Sequence, residues 1–443
     1  MRIKHISHHQ KERVETLQVK FRGGIGPWPL SRTQSSWGTF PSAFCVVYTG
    51  DLNASSTEIV GKAKKTFGIS LPREIKVVFL KRRNWVNAAR YPFFTLLGQS
   101  LGSVFLGMEA LLLYPPDIFL DTMGYAFTLP MFKYIAGCRT GCYVHYPTIS
   151  TDMLTVVEGQ TDAFNNRPII ARSRVLTFLK LMYYRMFACI YGMFGRSAEA
   201  VMVNSSWTYD HIKSLWRKDV IQKVYPPCNI HGFLNIPVKR AISEKYQNII
   251  LSIGQFRPEK NHALQIQSFH DFLLHVMENN KSDYTLVLVG GCRNEDDKRR
   301  VNELKKLAAD LKVANQVVFK TNVSYEELKE LLSQAHVGIH TMANEHFGIG
   351  VVEFQAASVI ALAHNSGGPK MDIIQEDDGT GFLANDVDSY SKELHHIFSL
   401  PAAERDKIVQ KAKLSCKRFS EEHFEETFLT SISHLFGESA KNR

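Results

Sequence analysis

A chain of 443 residues with 44% apolar and 22% charged residues is globular, and long enough for two α/β domains rather than one. The formal charge of +10 asks for an anionic partner. Lys and Arg are dispersed, with no basic block interleaved with stacking aromatics, which argues against nucleic acid and leaves a membrane surface or a phosphorylated ligand. Seven cysteines without a C-x-x-C pair argue against a disulfide framework and for a reducing compartment, where the N-x-S tripeptides at Asn53, Asn204, Asn280 and Asn322 read as silent.

Residues 1–43 are basic and polar, with Gly23, Gly24, Pro27 and Pro29 and no apolar run, so no signal peptide or N-terminal anchor is expected there. Short β-branched runs then alternate with longer periodic stretches. Strands are predicted at 44–48, 75–80, 118–120, 142–146, 200–203 and 222–225. Residues 93–113 carry only Glu109 as a charge, and residues 175–195 only Lys180 and Arg185, so each has the length to span a bilayer. A buried domain helix fits both, as does a helix lying in a membrane interface. The cations beside Tyr and Phe favour the interface over a true span.

After Pro226-Pro227 the series breaks, and Gly232, Pro237 and a Lys-Arg pair read as linker. A second series follows, with strands at 249–253, 285–289, 316–320, 337–340 and 359–363 and helices over 295–311 and 325–334. Ser324 and Glu327 open the latter helix at capping-box spacing. The expected domains are 44–230 and 248–443, joined by a linker at 231–247. Two open parallel sheets in tandem offer a ligand crevice at the carboxyl ends of their strands.

Four motifs sit at such strand ends. Glu345-His-Phe-Gly-Ile-Gly-Val-Val-Glu353 places Gly348 and Gly350 at a strand-to-helix turn, where backbone can approach a ligand and free N–H groups can meet a phosphate. Its two carboxylates can address opposite ends of one ligand, or can be solvated side chains. Gly254-Gln-Phe-Arg-Pro-Glu-Lys-Asn261 sets Arg257 and Lys260 after the first strand of the same domain, which suits a diphosphate. His145, at the end of an apolar strand, can bind a substrate hydroxyl or be a satisfied structural histidine. Asn365-Ser-Gly-Gly-Pro369 is a turn or a backbone-lined loop near a donor. No P-loop, H-E-x-x-H or G-x-S-x-G is present, and Asp296-Asp297 and Asp377-Asp378 read as solvated rather than as metal ligands.

The cations after one strand and the E-x₇-E at a later turn resemble the retaining GT-B glycosyltransferases of family 4. Tyr48-Thr-Gly-Asp51, Asp121-Thr-Met-Gly-Tyr125, Val144-His-Tyr-Pro147, Asn204-Ser-Ser-Trp207, Tyr225-Pro-Pro-Cys228 and Gly290-Gly-Cys-Arg-Asn294 narrow the resemblance. They resemble the α-1,2-mannosyltransferases that use GDP-mannose and a dolichol-linked oligosaccharide at the cytosolic face of the endoplasmic reticulum membrane.

The resemblance implies a GT-B fold, two Rossmann-like domains with parallel sheets facing across a cleft, and addition of the fourth and fifth mannoses without a metal or other cofactor. By the same resemblance, Arg257 and Lys260 hold the pyrophosphate and Glu345 contacts the transferring mannose. Glu353 would meet the ribose, the backbone of Phe347, Gly348 and Ile349 the distal phosphate and sugar, and His145 the donor sugar near the acceptor. Partners implied are GDP-mannose, the dolichol-linked oligosaccharide, the membrane surface and other mannosyltransferases.

Two departures stand out. Ser358 replaces a common glycine, a mild change if its φ is negative. Relatives open with a hydrophobic anchor, a strand and a Gly-rich loop, of which Gly23-Gly24-Ile-Gly26 is only an echo, so the first strand of the first domain is expected to be missing. A non-catalytic member of a mannosyltransferase assembly is therefore the competing reading. A soluble sugar-nucleotide transferase would leave the long apolar stretches unexplained.

Overall fold

The computed structural model describes residues 45–52, 54–59, 75–150, 153, 174–240, 248–276, 283–292 and 294–437. The expectations for residues 1–43 lie outside the described residues. The chain divides into two compact units: Met1–Asn204, Thr208–Val224 and Glu425–Arg443 form one, and Ser205–Trp207 with Tyr225–Phe424 the other.

In the first unit, β1 (Val46–Thr49) pairs with β2 (Lys76–Phe79). A separate sheet runs β3 (Ile118–Asp121), β4 (Arg139–Val144), β5 (Ala200–Val203), β6 (Gln222–Lys223), and every pairing is parallel. Strands β1, β3 and β5 are buried along their whole length, as parallel strands covered on both faces must be. Strand β4 begins and ends earlier than its apolar run suggests, because pairing starts at Arg139 against Ile118 and is exhausted at Val144 against Val203. The C-terminal residues belong to this unit: Arg139 Nη1 donates to the His434 carbonyl at 2.9 Å.

Three helices accompany these strands: α1 (Thr95–Leu113), α2 (Arg174–Gly195) and α3 (Ser206–Trp216). Helix α1 buries Leu96, Ser100, Ser103, Gly107 and Ala110, a 3.6-period stripe. Its opposite side is apolar too, with Leu101, Phe105 and Leu112 exposed. Helix α2 repeats the pattern, burying Tyr184, Phe187 and Tyr191 while Phe178, Met182, Met186 and Met193 face outward. Among the described residues, α1 alone has the length and apolarity to cross a membrane, yet a third of it is buried in the protein. Neither stretch is the fully buried core helix that was one expectation.

The second unit is a six-stranded parallel sheet. Its strands are β7 (Asn248–Ile253), β8 (Tyr284–Gly290), β9 (Val317–Thr321), β10 (Ala335–His340), β11 (Ile360–His364) and β12 (Phe382–Ala384). The spatial order is β12-β11-β10-β7-β8-β9, so the chain reverses direction across the sheet between β7 and β10. Such a reversal leaves a crevice at the carboxyl ends of the two central strands.

Helices α4 (His262–His275), α5 (Glu295–Asp310), α6 (Tyr325–Gln334) and α7 (Ile349–Ala356) make the crossovers, and α8 (Val387–Ser399) and α9 (Ala402–Cys416) follow β12. Side chains start them where the sequence suggests. Asn294 accepts the Asp297 N–H at 2.9 Å and Ser324 the Glu327 N–H at 3.2 Å. The Glu327 carboxylate accepts instead from Lys320 Nζ at 2.6 Å, so only the Ser324 half of the expected capping box forms. Asp297, expected to be solvated, is buried in the first turn of α5, where the helix dipole favours a carboxylate. Asp377 and Asp378 are exposed as expected.

Candidate functional site

Lys260 lies at the end of a 3-10 turn, Pro258–Lys260, that leaves the carboxyl end of β7. Glu345 lies in the loop that leaves the carboxyl end of β10. These are the two strands that flank the reversal, and their loops bring the side chains together: the Lys260 ammonium donates to Glu345 Oε2. His340 Nε2, from the last residue of β10, lies 3.3 Å from the same oxygen. The two acid–base partners are 18% and 14% exposed, a half-closed cleft rather than a surface.

A short polar relay fixes this geometry. Thr341 Oγ1 donates to the carbonyls of Lys260 and Asn261, at 2.9 and 3.1 Å, and accepts from Gln265 Nε2 at 2.9 Å. Asn261 takes a left-handed φ of 48°, which turns the chain from the 3-10 turn into α4. The loop carrying Glu345 is braced from the other side. Gly368 N–H donates to the Glu345 carbonyl at 2.7 Å, and the Asn344 N–H donates to Ser366 Oγ at 2.8 Å. A Cβ on Gly367 would stand 2.3 Å from the Glu345 carbonyl, and one on Gly368 2.4 Å from the Phe347 carbonyl, so both must be glycine. The Asn365-Ser-Gly-Gly-Pro369 motif is thus a brace for the acidic loop.

Electrostatics reinforce the arrangement. Burial alone would push the Glu345 carboxyl up, but the Lys260 ammonium, then the His340 and His346 imidazoles, hold it well below the usual range. Burial pushes the His340 imidazole down against the pull of Glu345. His262, under the Lys260 loop and stacked on Phe256, is pushed down to about 3 by burial and by Lys260, and so adds no charge. Glu345 is therefore an ionised carboxylate held against the Lys260 cation, with the His340 ring beside it.

The other predicted residues of the second unit lie on the same two loops and on the helix that follows. Arg257 is buried in the same loop, its Nη1 3.8 Å from Glu259. Gly348 caps α7 with a φ of +106°, a conformation open to glycine, and Ile349 opens the helix whose first N–H groups lack an intrahelical acceptor. Glu353 is half-buried one turn on. Phe347 points away from solvent, its ring packed on Tyr225 and Phe419 at 5.7 and 5.2 Å, so only its backbone can serve a ligand.

His145 belongs to the first unit. It stands one residue past β4 rather than within the strand, half-buried and edge-on to Tyr143 at 4.6 Å. The preceding strand, β3, ends in buried Asp121, which accepts the Met123 N–H at 2.9 Å. Thr148 Oγ1 reaches the Gly124 carbonyl at 3.4 Å, so the loops after β3 and β4 are tied together beside His145. Sequence reasoning gave no role to His340, Thr341, Gln265 or Asp121, although Asp121 opens one of the matched motifs. The one available signal was a polar residue ending an apolar run.

Other matched segments prove to be scaffold. Asp372 accepts the Ser206 N–H and hydroxyl, at 2.8 and 2.6 Å, and the Tyr225 hydroxyl at 2.9 Å. Asn322 closes on the Cys292 backbone in both directions, at 2.9 and 3.0 Å. Among the described residues, no cluster of three His, Cys, Asp or Glu side chains could hold a metal ion.

Comparison with known proteins decides the family. Residues 31–216 match the family described as ALG11 mannosyltransferase N-terminus, and residues 235–415 match Glycosyl transferases group 1. A human protein named GDP-Man:Man(3)GlcNAc(2)-PP-Dol alpha-1,2-mannosyltransferase is 52% identical over 90% of this chain and 81% of its own length. The chain belongs to that mannosyltransferase family. Members of the same name from Dictyostelium discoideum and Caenorhabditis elegans are 46% and 42% identical, over 91% and 90% of this chain and 80% and 85% of theirs.

The fold is GT-B. A solved glycosyltransferase from Rickettsia africae matches with a TM-score of 0.61 at 16% identity, covering 89% of this chain and 90% of that one. Sucrose-phosphate synthase from Thermosynechococcus elongatus matches at 0.59 and 17%, covering 84% and 86%. Nothing in these comparisons supports the alternative of a non-catalytic assembly member.

Proposed function

We infer that this chain is a retaining α-1,2-mannosyltransferase that moves mannose from GDP-mannose to the dolichol-diphosphate-linked Man3GlcNAc2 oligosaccharide, adding the fourth and fifth mannoses. The observation that carries this reading is the Lys260–Glu345 pair at the crossover of β7 and β10, in a chain 52% identical to a mannosyltransferase of that name.

The donor diphosphate takes the Lys260 ammonium and the Arg257 guanidinium. Glu345, relieved of its cation, then accepts from hydroxyls of the mannose, and Glu353 accepts from the ribose diol. N–H groups at the start of α7, around Gly348 and Ile349, meet the distal phosphate. As the glycosidic bond breaks, charge grows on the leaving phosphate, where the two cations oppose it without a metal. That phosphate takes the proton of the incoming acceptor hydroxyl on the same face, so configuration is retained and no separate carboxylate base is needed. His145 is assigned to a substrate hydroxyl at the edge of the first unit's sheet.

The acceptor is a lipid, and the first unit has a surface for one. Leu101, Phe105 and Leu112 repeat along one side of α1, with exposed Phe94 just before it, and Phe178, Met182, Met186 and Met193 repeat along one side of α2. Just before α1, exposed Arg90 lies over the Trp85 ring at 4.7 Å, and the Trp85 ring is tilted against Phe105 at 5.1 Å. Aromatic and cationic groups beside an apolar stripe suit an anionic bilayer interface, here the cytosolic face of the endoplasmic reticulum membrane.

The test is transfer of labelled mannose from GDP-mannose to a synthetic trimannosyl-chitobiosyl lipid diphosphate, wild type beside Glu345→Ala. Transfer should fall by about 10²–10³ in the variant, the scale of losing one stabilising group in a closed site. A folded wild type that binds GDP and transfers nothing would overturn the reading and favour the non-catalytic one.

A further inference from the structure

The second unit has a cavity of about 170 Å³ that the donor chemistry does not use. It opens at the amino ends of β10 and β11, lined by His336 and Ile360 from those strands. The donor pair lies at the other end of β10, roughly 13 Å away along the strand at 3.3 Å per residue. The cavity wall is apolar, through Ile397 and Phe398 at the end of α8, but its polar groups are mostly of one sign.

Two guanidiniums converge there. Arg240 is anchored by Nε to the Ala335 carbonyl at 2.7 Å and by Nη2 to the Ser358 carbonyl, which fixes its head at the strand ends and leaves other N–H groups to serve the cavity. Arg405 comes from the first turn of α9, whose positive end also lines the space through Ala402. Between them stands His336, whose Nδ1 is buried with no hydrogen-bond partner. Burial and then these two guanidiniums push its imidazole down to about 4. Asp406, exposed at the rim, is the one acid in the lining.

We propose that this cavity is a binding site for a phosphate group, free or in a small ester, distinct from the donor site of the same unit. Two cationic forks, a helix N-terminus and an unmatched ring nitrogen are the donor set that a tetrahedral dianion takes up. The dianion would also offset the positive charge crowded around His336.

The test is titration of the full chain with inorganic phosphate at pH 7, with and without saturating GDP, beside three variants. Wild type should bind one phosphate that GDP does not displace. Arg405→Gln should weaken it at least tenfold, and Arg405→Lys should weaken it less. Asp406→Asn should tighten it several-fold, a gain that misfolding could not imitate. Phosphate wholly displaced by GDP, or bound equally by the Arg405→Gln and Asp406→Asn proteins, would overturn the proposal. Glycerol 3-phosphate run alongside separates the sources, since the ester binds more tightly than free phosphate only if the apolar wall contributes.

Discussion

Helices α5 and α2 are both two-sided in burial but differ in what they show to the outside. Helix α5 buries Val301, Leu304 and Ala308 and turns ion pairs outward, Lys298 to Glu295 at 2.7 Å and Arg299 to Asp296 at 2.6 Å. Helix α2 buries Tyr184, Phe187 and Tyr191 and turns outward Phe178, 65% exposed, and Met182, 55% exposed. A helix that only stabilises a soluble domain has the first pattern. The second leaves apolar surface that burial in the fold does not explain, and α1 shares it. The second unit thus presents chemistry at a polar crevice, while the first presents an apolar exterior beside a polar sheet edge.

The largest expected effect lies in the polar crevice. Lys260→Ala leaves the Glu345 carboxylate buried without its cation, a loss of about 3–5 kcal/mol for a broken buried pair. Transfer should fall by about 10² or more, as for any lost stabiliser of the leaving charge. The double variant Lys260→Ala/Glu345→Ala should recover most of the stability in urea unfolding and none of the activity. Strictly additive stability losses would mean that the two groups are not coupled, and the pairing at the crossover would lose its meaning.

The apolar exterior comes next. Phe105→Glu with Phe178→Glu should abolish flotation on anionic liposomes, since each inserted side chain contributes roughly 1.5–3 kcal/mol. Both positions are exposed, so urea stability and GDP binding should stay level. Lys298→Glu on α5 should leave flotation unchanged. Equal flotation of wild type and double variant would remove the membrane reading from α1 and α2, as would a wild type that stays soluble at low salt.

A third difference is the response to acid, where the two units carry opposite signs. Burial, then Lys260 for one and Arg240 and Arg405 for the other, puts His262 at about 3 and His336 at about 4 in the folded second unit, from an ordinary 6.5. Folded values that are depressed give stability present above pH 6.5 and lost as pH falls towards them. In the first unit burial raises Asp121 from 3.8 to about 6 against its backbone N–H donors. That contribution is full below pH 3.8 and lost as pH rises through 6. Between pH 6 and 4 the first unit should gain on Asp121, and the second should lose on His336, about 3 kcal/mol each at 1.36 kcal/mol per unit. Hydrogen exchange read separately in the two units would show it, with Asp121→Asn flattening one trend and His336→Phe the other. Trends unaltered by both substitutions would refute the assignment.

These contrasts were unevenly legible in the sequence. Strands buried on both faces read as unbroken apolar runs, which is why 200–203 and 249–253 fall on or within a residue of β5 and β7. Strand β4 was misplaced because Arg139-Thr140-Gly141 pairs without being apolar, and Phe382–Ala384 was missed because three residues carry no period. Lys260 and Glu345 were visible as charges beside turns. What joins them was not, since Thr341 and Gln265 act through hydrogen bonds between segments about 80 residues apart. The outward faces of α1 and α2 were ambiguous for a related reason: an apolar run does not say which of its sides the fold will cover.

Ser358 yields the smallest and cleanest prediction. Its replacement of glycine was expected to be mild at negative φ, but the residue sits at φ +67°, in the left-handed region that disfavours a side chain by roughly 1–2 kcal/mol. The position is fixed from both sides. Arg240 holds the Ser358 carbonyl, and Lys413 Nζ donates to its hydroxyl at 3.0 Å. Ser358→Gly removes the strain and that one half-buried hydrogen bond, whose net value is about 1 kcal/mol, and loosens the unfolded chain. The balance should be a gain of at most about 1 kcal/mol in urea unfolding, with transfer unchanged because Ser358 lies in the turn before β11, away from the crevice. A loss of that size would show the Lys413 bond outweighing the backbone strain, and Lys413→Met would then be expected to cost the wild type as much.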